Sequence, residues 1–270
     1  MKIVEPKVEL WLPKNEDQHI ARCARVCYAS DTSDNKKLCQ ALWKNKHWSM
    51  YRHMPTYYII PESISLPDIA FIDFKRVLHE GSWYCSTNMQ TTLEYLDKYA
   101  KYRISYFAAV INNVFFKNKL LRYTFAIDTG IDITREFNRK SPNNIAEQST
   151  RYVDFIKKVG IRFKKCHWMW NLNLYKKFLV YMMCKTSEWF YKLSRSKYGL
   201  NLPPEDARWI LPVDTMSKVA YTYTVQDWEH IINLRYFGIT GRPHKDAKIV
   251  AAKIKHELEI LGYTFNDLNK

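Results

Sequence analysis

The stretch Thr134-Arg-Glu-Phe-Asn-Arg-Lys-Ser-Pro-Asn-Asn-Ile-Ala-Glu-Gln-Ser-Thr-Arg-Tyr152 decides the interpretation of this chain. It places three arginines within nineteen residues, with Gln148 and Ser149 between the last two. Arginine presents a planar fork of donors that fits phosphate and carboxylate groups. Such a density of donors is typical of a site for a phosphorylated small molecule. On charge alone, however, a basic surface helix or loop explains the stretch better.

The spacing of this stretch resembles the signature of the flavin-dependent thymidylate synthases, the ThyX type, which reads Arg-His-Arg-x-x-Ser-x-Asn-Glu-x-Ser-x-Arg-Tyr. A gapless alignment runs from residue 139 to residue 152. The positions that agree are Arg139, Glu147, Ser149, Arg151 and Tyr152. The positions that depart are Lys140 for His, Ser141 for the second Arg, Asn144 for Ser and Ala146 for Asn.

Other segments resemble the same family in the same order along the chain. Residues 8–10 and 20–28 resemble its first strand and first helix. Residues 46–53 resemble its His-x-Ser/Thr-x-x-Glu-His segment, with Arg52 in place of the Glu. Near the C-terminus, residues 207–212 resemble its Ala-Arg-x-x-Leu-Pro, and residues 233–235 resemble its Asn-Leu-Arg at the family spacing. The resemblance therefore covers nearly the whole chain.

We expect an α+β fold with a mixed or antiparallel sheet flanked by helices, ThyX-like, as a single domain over residues 1–270. In the family the His-x-Ser segment leads almost directly into the strand before the signature, so residues 61–121 are interpreted as an insertion. The periodicity of residues 89–107 predicts one helix. Residues 123–127 are predicted as a strand, residues 128–130 as a turn, and Asp132 as the cap of the next helical turn. Residues 31–34 are predicted to cap the second helix.

The resemblance implies a function. The family methylates the uracil ring of dUMP at C5 to give dTMP, with the carbon from methylenetetrahydrofolate and the hydride from NADPH through FAD. The implied catalytic residues are Ser149 and Arg235. The implied dUMP-binding residues are Glu136, Arg139, Glu147, Gln148, Ser149, Arg151, Arg208 and Arg235. The implied FAD-binding residues are His47, Ser49, Arg139, Lys140, Ser141, Thr224 and His230.

The departures at Lys140 and Ser141 bear on the cofactor. They remove an imidazole and a guanidinium that lie against the flavin in the family, and a lysine cannot form a fork or stack. Either FAD is held differently, or the chain is a homologue that acts on another pyrimidine nucleotide or has lost catalysis. The family also implies a homotetramer with sites shared between subunits.

Composition offers a competing class. The net charge of +15 suits a basic nucleic-acid-binding protein. We disfavour it because aromatic residues such as Trp189, Phe190 and Trp228 lie in apolar helical or strand patterns instead of alternating with basic residues. The six cysteines form no Cys-x-x-Cys pair, so no metal site is predicted. Without a signal-like segment or an apolar run near ~20 residues, we expect no membrane partner and a cytoplasmic protein of a bacterial cell or phage-infected host.

Overall fold

The fold is centred on an antiparallel sheet of four strands in the order β2 (Lys7–Trp11), β7 (Arg122–Gly130), β10 (Met216–Thr224) and β8 (Ile145–Glu147). The computed structural model describes residues 1–30, 34–67 and 73–266. The other strands are β1 (Lys2–Val4), β3 (Pro55–Pro61), β4 (Lys75–His79), β5 (Ser82–Asn88), β6 (Arg103–Ile104) and β9 (Arg162–Lys164). The predicted α+β class with an antiparallel sheet is confirmed.

Ten α-helices surround the strands in the described part of the chain. They are α1 (Glu16–Tyr28), α2 (Asn35–Lys44), α3 (Met89–Tyr95), α4 (Tyr106–Ile111), α5 (Asn113–Lys117), α6 (Ile131–Phe137), α7 (Leu174–Arg195), α8 (Pro204–Ala207), α9 (Val225–Ile232) and α10 (Lys245–Ile260). Short 3-10 helices cover Trp48–His53, Asp97–Tyr102, His167–Met169 and Arg208–Ile210, and π-helices cover Phe155–Val159 and Asn233–Phe237. None of the helices described is long and apolar enough to cross a membrane.

The two faces of the central sheet carry different partners. Successive side chains of a strand point to opposite faces, so Ala146 and Ala220 pack against α1, together with Trp11 and Cys23. The other face carries the main core, in which α9 and α10 cover the aromatic residues of β7 and β10. Trp228 of α9 stands edge-on to Phe125 of β7, with ring centroids 5.0 Å apart. The site residues are distributed between these two faces.

Strand β7 is longer than the sequence predicts. The turn predicted at residues 128–130 is wrong, because β10 pairs with β7 from Met216 opposite Gly130 to Thr224 opposite Arg122. The hydrogen bonds of this ladder satisfy the backbone of residues whose local preference favours a turn. The chain then enters α6, with Gly130 at the N-cap position. Asp132 is not the cap; its carboxylate pairs with Lys164.

A second antiparallel sheet, in the order β4-β5-β3-β6, is built mostly from residues of the predicted insertion. Here the single helix predicted for residues 89–107 is wrong. Helix α3 ends at Tyr95, a 3-10 helix follows, and Arg103 and Ile104 pair with Tyr58 and Tyr57 of β3. Leu96 and Tyr99 are buried against this sheet, so tertiary pairing overrides the helical period.

Helix α2 begins as predicted at its capping residue. The side chain of Asp34 accepts a hydrogen bond from the amide of Lys37. The remaining residues of the predicted cap region, 31–33, lie outside the described part of the chain. The side chain of Asn15 caps α1 in the same way, by accepting from the amide of Gln18.

Helix α7 leaves most of its apolar side chains in contact with solvent. Of its residues only Glu188, Tyr191 and Ser194 are buried. Five large apolar side chains are 57–85% exposed: Leu174, Tyr175, Phe178, Met183 and Trp189. Trp189 and Phe190 lie in an apolar helix as predicted, but both are exposed, whereas Trp228 of α9 is buried. A contiguous apolar surface of this kind marks an interaction face.

Candidate functional site

Helix α6 and the π-helix after α9 bring three of the sequence-predicted residues together. A guanidinium nitrogen of Arg235 lies 2.9 Å from a carboxylate oxygen of Glu136, and its Nε donates to the main-chain oxygen of the same residue at 3.1 Å. The guanidinium of Arg139 lies 3.3 Å from the other oxygen of Glu136. Glu136 thus orients two arginines that are 96 residues apart in the chain (235 − 139). Arg139 is mostly exposed, whereas Arg235 is largely covered.

Glu147 lies beside this group, on the same face of the sheet. The hydroxyl of Thr134 donates to one carboxylate oxygen at 2.7 Å, and the amide of Asn138 donates to the other at 3.2 Å. Asn138 in turn accepts a hydrogen bond of 2.6 Å from the hydroxyl of Tyr221. The carboxylate of Glu147 is therefore fixed in position by α6 and by the loop that follows it.

A second group forms in the turn after β8. The hydroxyl oxygen of Ser149 accepts from the amides of Arg151 and Tyr152, at 3.1 and 3.3 Å, which leaves its proton free to donate. Arg208 donates to the hydroxyl of Thr150 at 2.8 Å. Both guanidinium groups are exposed, and Arg151 is paired with Glu205 at 3.0 Å. Two guanidinium groups, of which that of Arg151 is paired with Glu205, thus lie beside two hydroxyls, and donors of these kinds suit an anion.

These two groups, Glu136–Arg139–Arg235 and Ser149–Arg151–Arg208, are not joined by any hydrogen bond or ion pair among the described residues. Gln148 belongs to neither. Its amide nitrogen in the main chain continues the ladder to Lys218 of β10, and its side chain lines a pocket on the α1 face, opposite Glu147. The sequence predicted one continuous set of nucleotide contacts, and the structure divides it.

Two of the seven residues implied for FAD are already engaged. Lys140 points inward, with its ammonium 3.0 Å from Asp227. Thr224 is fully buried, caps α9, and donates its hydroxyl proton to Asp227 at 2.7 Å. Burial opposes ionisation of Asp227, but the hydrogen bond from Thr224 and the charges of Lys75 and Lys140 hold the pKa of Asp227 below its ordinary value.

The other residues implied for FAD are accessible. Exposed positions hold His47, Ser49, Arg139, Ser141 and His230. Arg52, which replaces the family Glu, donates to Gln90 at 2.7 Å and to the main-chain oxygen of Asn143 at 3.3 Å. Arg52 thereby ties the segment after α2 to the signature loop. Five of the seven side chains are therefore exposed, and the other two are engaged with Asp227.

Sequence reasoning missed a buried ion pair that supports the signature loop. Arg122, at the start of β7, is completely buried and forms a bidentate pair with Asp73 from the insertion. The side-chain amide of Asn144 donates to Asp73 and, at 3.0 Å, to the main-chain oxygen of Thr222. The signal in the sequence was an arginine directly before an apolar strand, a position where a charge needs a partner.

A polar chain crosses the α1 side of the sheet interior. His19 and Thr124 are 3.0 Å apart, Thr124 and Thr222 are 2.7 Å apart, and Thr222 and His53 are 2.8 Å apart. Burial lowers the pKa of His19 to about 4 and that of His53 to about 3. Both imidazoles are therefore neutral at pH 7. This neutral chain holds α1 and the segment after α2 against β7 and β10.

An acidic cluster was also missed. Asp132, His244 and Asp246 place one potential metal-ligand atom each within 4.8 Å of one another. The buried ammonium of Lys164 lies among the carboxylates, 2.5 Å from Asp132 and 3.1 Å from both Asp214 and Asp246. The chain therefore supplies its own cation at this position.

The cysteines are free thiols in buried or half-buried positions. Burial raises the pKa of Cys27 and Cys39 to about 11 and that of Cys85 and Cys166 to about 12. A thiol of this kind is protonated at neutral pH and is a poor nucleophile. These four thiols are therefore poor candidates for a nucleophile.

Comparison with known proteins bears on this geometry. The family model described as thymidylate synthase complementing protein matches residues 119–260. The chain belongs to this family. The matched region begins where the predicted insertion ends and contains β7, α6, the signature loop, Arg208 and Arg235. Both arginine groups of the candidate site therefore lie inside it.

Among solved structures, two crystal structures of the UMP/dUMP methylase PolB from Streptomyces cacaoi are similar to this chain. The structure bound with 5-Br dUMP has a TM-score of 0.47, and the one bound with 5-Br UMP has 0.48. Each is 15% identical over 97% of this chain and over 93% and 92% of the PolB chains, respectively. No curated protein sequence matches this chain.

Proposed function

We propose that this protein is a flavin-dependent thymidylate synthase, which converts dUMP to dTMP with methylenetetrahydrofolate and NADPH. The observation that carries the proposal is the ion-pair group of Glu136, Arg139 and Arg235 inside the region matched by the family. One carboxylate holds two arginines that are distant in sequence. The same matched region contains the exposed group of Ser149, Arg151 and Arg208, which is suited to a phosphate.

The two groups suit the two ends of a pyrimidine nucleotide. Arg151 and Arg208, exposed around Ser149 and Thr150, offer forked donors and hydroxyls to a phosphate dianion. Arg235 is largely covered and is held by both the carboxylate and the main chain of Glu136. A fixed guanidinium of this kind stabilises negative charge that develops on a uracil ring during methylation. Glu147 and Ser149 orient the nucleotide between these ends.

FAD, when bound, supplies the reducing hydride. The residues proposed to hold it are those that are exposed: His47, Ser49, Arg139, Ser141 and His230. Arg139 stands beside Glu136, so it is able to contact both nucleotide and cofactor. Lys140 contributes its charge indirectly, through Asp227.

Self-association into a homotetramer belongs to the proposal. Among the described residues no hydrogen bond or ion pair joins the two arginine groups within one subunit, and we propose that a second subunit brings one group to the other and completes the nucleotide site. The exposed apolar face of α7, with Leu174, Tyr175, Phe178 and Met183, is the surface suited to bury against another copy.

Release of tritium from dUMP labelled at C5, with methylenetetrahydrofolate, NADPH and added FAD, tests the activity. Arg235→Ala should abolish the release, and Arg151→Ala should weaken dUMP binding about tenfold to a hundredfold, the scale of a lost charged hydrogen bond. Lys98→Gln is the matched control, because Lys98 is an exposed cation of the insertion outside the site. UMP in place of dUMP tests the alternative of another pyrimidine substrate. If the wild type binds no FAD and releases no tritium, the synthase assignment is wrong.

A further inference from the structure

A pocket of about 400 Å³ lies on the α1 face of the central sheet, between the end of α1, strand β10 and the π-helix Phe155–Val159. Its lining includes five cationic side chains, from Arg22, Arg25, Lys158, Arg162 and Lys218. No Asp or Glu is among its lining residues in the described part of the chain. We call it the α1 pocket. Lysine and arginine make up a larger share of its lining residues than of the whole chain.

Two of these charges have carboxylate partners beside the pocket. Arg162 pairs with Asp128 at 2.6 and 3.1 Å, and Arg22 lies 4.0 Å from Glu9. Among described residues, Arg25, Lys158 and Lys218 have none: Arg25 donates to Asn35 at 2.7 Å, and Lys158 donates to the main-chain oxygen of Tyr28 at 3.1 Å. Three positive charges around the pocket therefore lack a carboxylate partner among the described residues.

The same wall carries donors that lack acceptors. Gln148 is 5% exposed, and its side-chain nitrogen is buried without a hydrogen-bond partner in the described structure. The Nε and one terminal nitrogen of Arg25 are buried and unpartnered in the same way. Buried donors are normally satisfied, because leaving them unpaired is costly. Cations that have no carboxylate partner among the described residues, beside buried donors that lack acceptors there, form a surface complementary to a multivalent oxyanion.

We propose that the α1 pocket binds the phosphate groups of a small oligophosphate, at a site separate from the dUMP site. Recognition by phosphates is favoured over recognition of a base because the ring of Trp11, the aromatic side chain in the lining, is already covered. The guanidinium of Arg22 lies 3.7 Å from its centroid, and the ammonium of Lys218 lies 5.2 Å from it. Two or more linked phosphates match three cations, spread over the pocket, that have no carboxylate partner among the described residues.

The α1 pocket and the proposed nucleotide site use different charged residues. Glu147 faces Thr134 and Asn138 on one side of the sheet, while Gln148, the next residue of the chain, faces the α1 pocket on the other. None of the five cations of the α1 pocket belongs to the proposed nucleotide site, so either proposal is able to fail alone, and competition by dUMP tests whether the pocket is separate from the neighbouring Ser149 turn.

Titration calorimetry with inorganic tripolyphosphate, at fixed ionic strength and physiological salt, tests the proposal. Lys218→Gln should weaken binding about tenfold, whereas Lys98→Gln, with the same loss of charge far from the pocket, should stay within about twofold of the wild type. Equal weakening in both variants would show diffuse attraction to a basic surface and overturn the site. Undetectable binding to wild type at millimolar tripolyphosphate would overturn it as well.

Gln148→Leu tests the contribution of the Gln148 side-chain amide, because it removes this donor without changing the net charge. It should weaken tripolyphosphate binding about fivefold, since one donor is lost; wild-type affinity in a folded Gln148→Leu protein would contradict the proposal. Lys218→Gln, at a partly exposed position, keeps the test decisive if Gln148→Leu does not fold.

Saturating dUMP should leave the affinity for tripolyphosphate unchanged, and displacement of tripolyphosphate by dUMP would overturn a separate site. A nucleoside triphosphate that binds more tightly than tripolyphosphate identifies a nucleotide as the source of the phosphates, and equal affinity identifies a free oligophosphate.

Discussion

The buried pair of Arg122 and Asp73 offers the sharpest test of how the insertion supports the site. Asp73→Asn keeps the size of the side chain but removes its charge. The fully buried guanidinium of Arg122 then has no carboxylate beside it. Arg122 then retains neutral acceptors, which include the hydroxyl and main-chain oxygen of Ser86 at 3.0 and 3.2 Å and the main-chain oxygen of residue 73 at 3.3 Å. Asn144 of the signature loop also loses a charged acceptor. The change should therefore affect both stability and the loop.

The size of the effect follows from burial. Breaking a buried ion pair by removing one partner costs about 3–5 kcal/mol, because the remaining charge has no compensation. Such a loss is a large part of a domain's total stability of about 5–15 kcal/mol. Replacing both partners with apolar side chains removes the unpaired charge as well, so Arg122→Met combined with Asp73→Leu should cost less than the sum of the two single changes by about 3 kcal/mol.

Urea unfolding at one protein concentration, followed by circular dichroism, measures the free energy of unfolding. It is applied to the wild type, Arg122→Met, Asp73→Leu and the double variant, and also to Asp73→Asn. Arg76→Met is the matched control, because Arg76 is an exposed arginine on β4, the strand that follows Asp73. It should change the free energy of unfolding by less than about 0.5 kcal/mol. Additive single changes, or a loss for Asp73→Asn no larger than for Arg76→Met, would refute the reasoning.

Three further predictions follow from buried or exposed groups. In the unfolded chain a histidine binds its proton near pH 6.5, whereas burial in the folded protein lowers the pKa of His19 to about 4 and that of His53 to about 3. The unfolded state therefore binds more protons, and the free energy of unfolding should fall as the pH drops from 6.5 towards 4. The fall should reach up to about 1.4 kcal/mol per pH unit for each histidine. His53→Gln should give a shallower pH dependence in urea titrations, and an unchanged slope would contradict the role of His53. Lys164→Met removes the buried cation that Asp132, Asp214 and Asp246 share, so it should destabilise the fold by about 3–5 kcal/mol in thermal or urea unfolding, whereas the exposed control Lys197→Met should be near neutral. Phe178→Asp on the exposed face of α7 should reduce the mass measured by light scattering to that of a smaller assembly, and an unchanged mass would exclude this face as the interface.

Local sequence predicted several elements because the forces that form them act over short distances. Asp34 caps α2 as the residue type predicts. Strand β2 and helix α1 lie within a few residues of segments 8–10 and 20–28, which resemble the first strand and first helix of the family. The spacing from Arg139 to Tyr152 and from Arg208 to Arg235 was also enough to indicate the family that residues 119–260 match.

Long-range pairing decided what the patterns could not. Residues 128–130 have turn preferences but lie in β7, because the whole of β10 pairs alongside. Residues 103 and 104 continue a helical pattern but form β6, because β3 offers hydrogen bonds to them. In both places a ladder of hydrogen bonds contributed by a distant strand outweighs a local preference of a few tenths of a kcal/mol per residue.

The sequence by itself determined the α+β class, the family and which arginines belong to its signature, since these depend on residue type and spacing along the chain. The tertiary structure decided which of them act together. It joined Arg139 to Arg235 through Glu136, turned Lys140 inward to Asp227, and directed Gln148 to the face opposite Glu147. The physical reason is that the face a side chain occupies depends on strand register and on charges brought from distant parts of the chain, neither of which is encoded in a local motif.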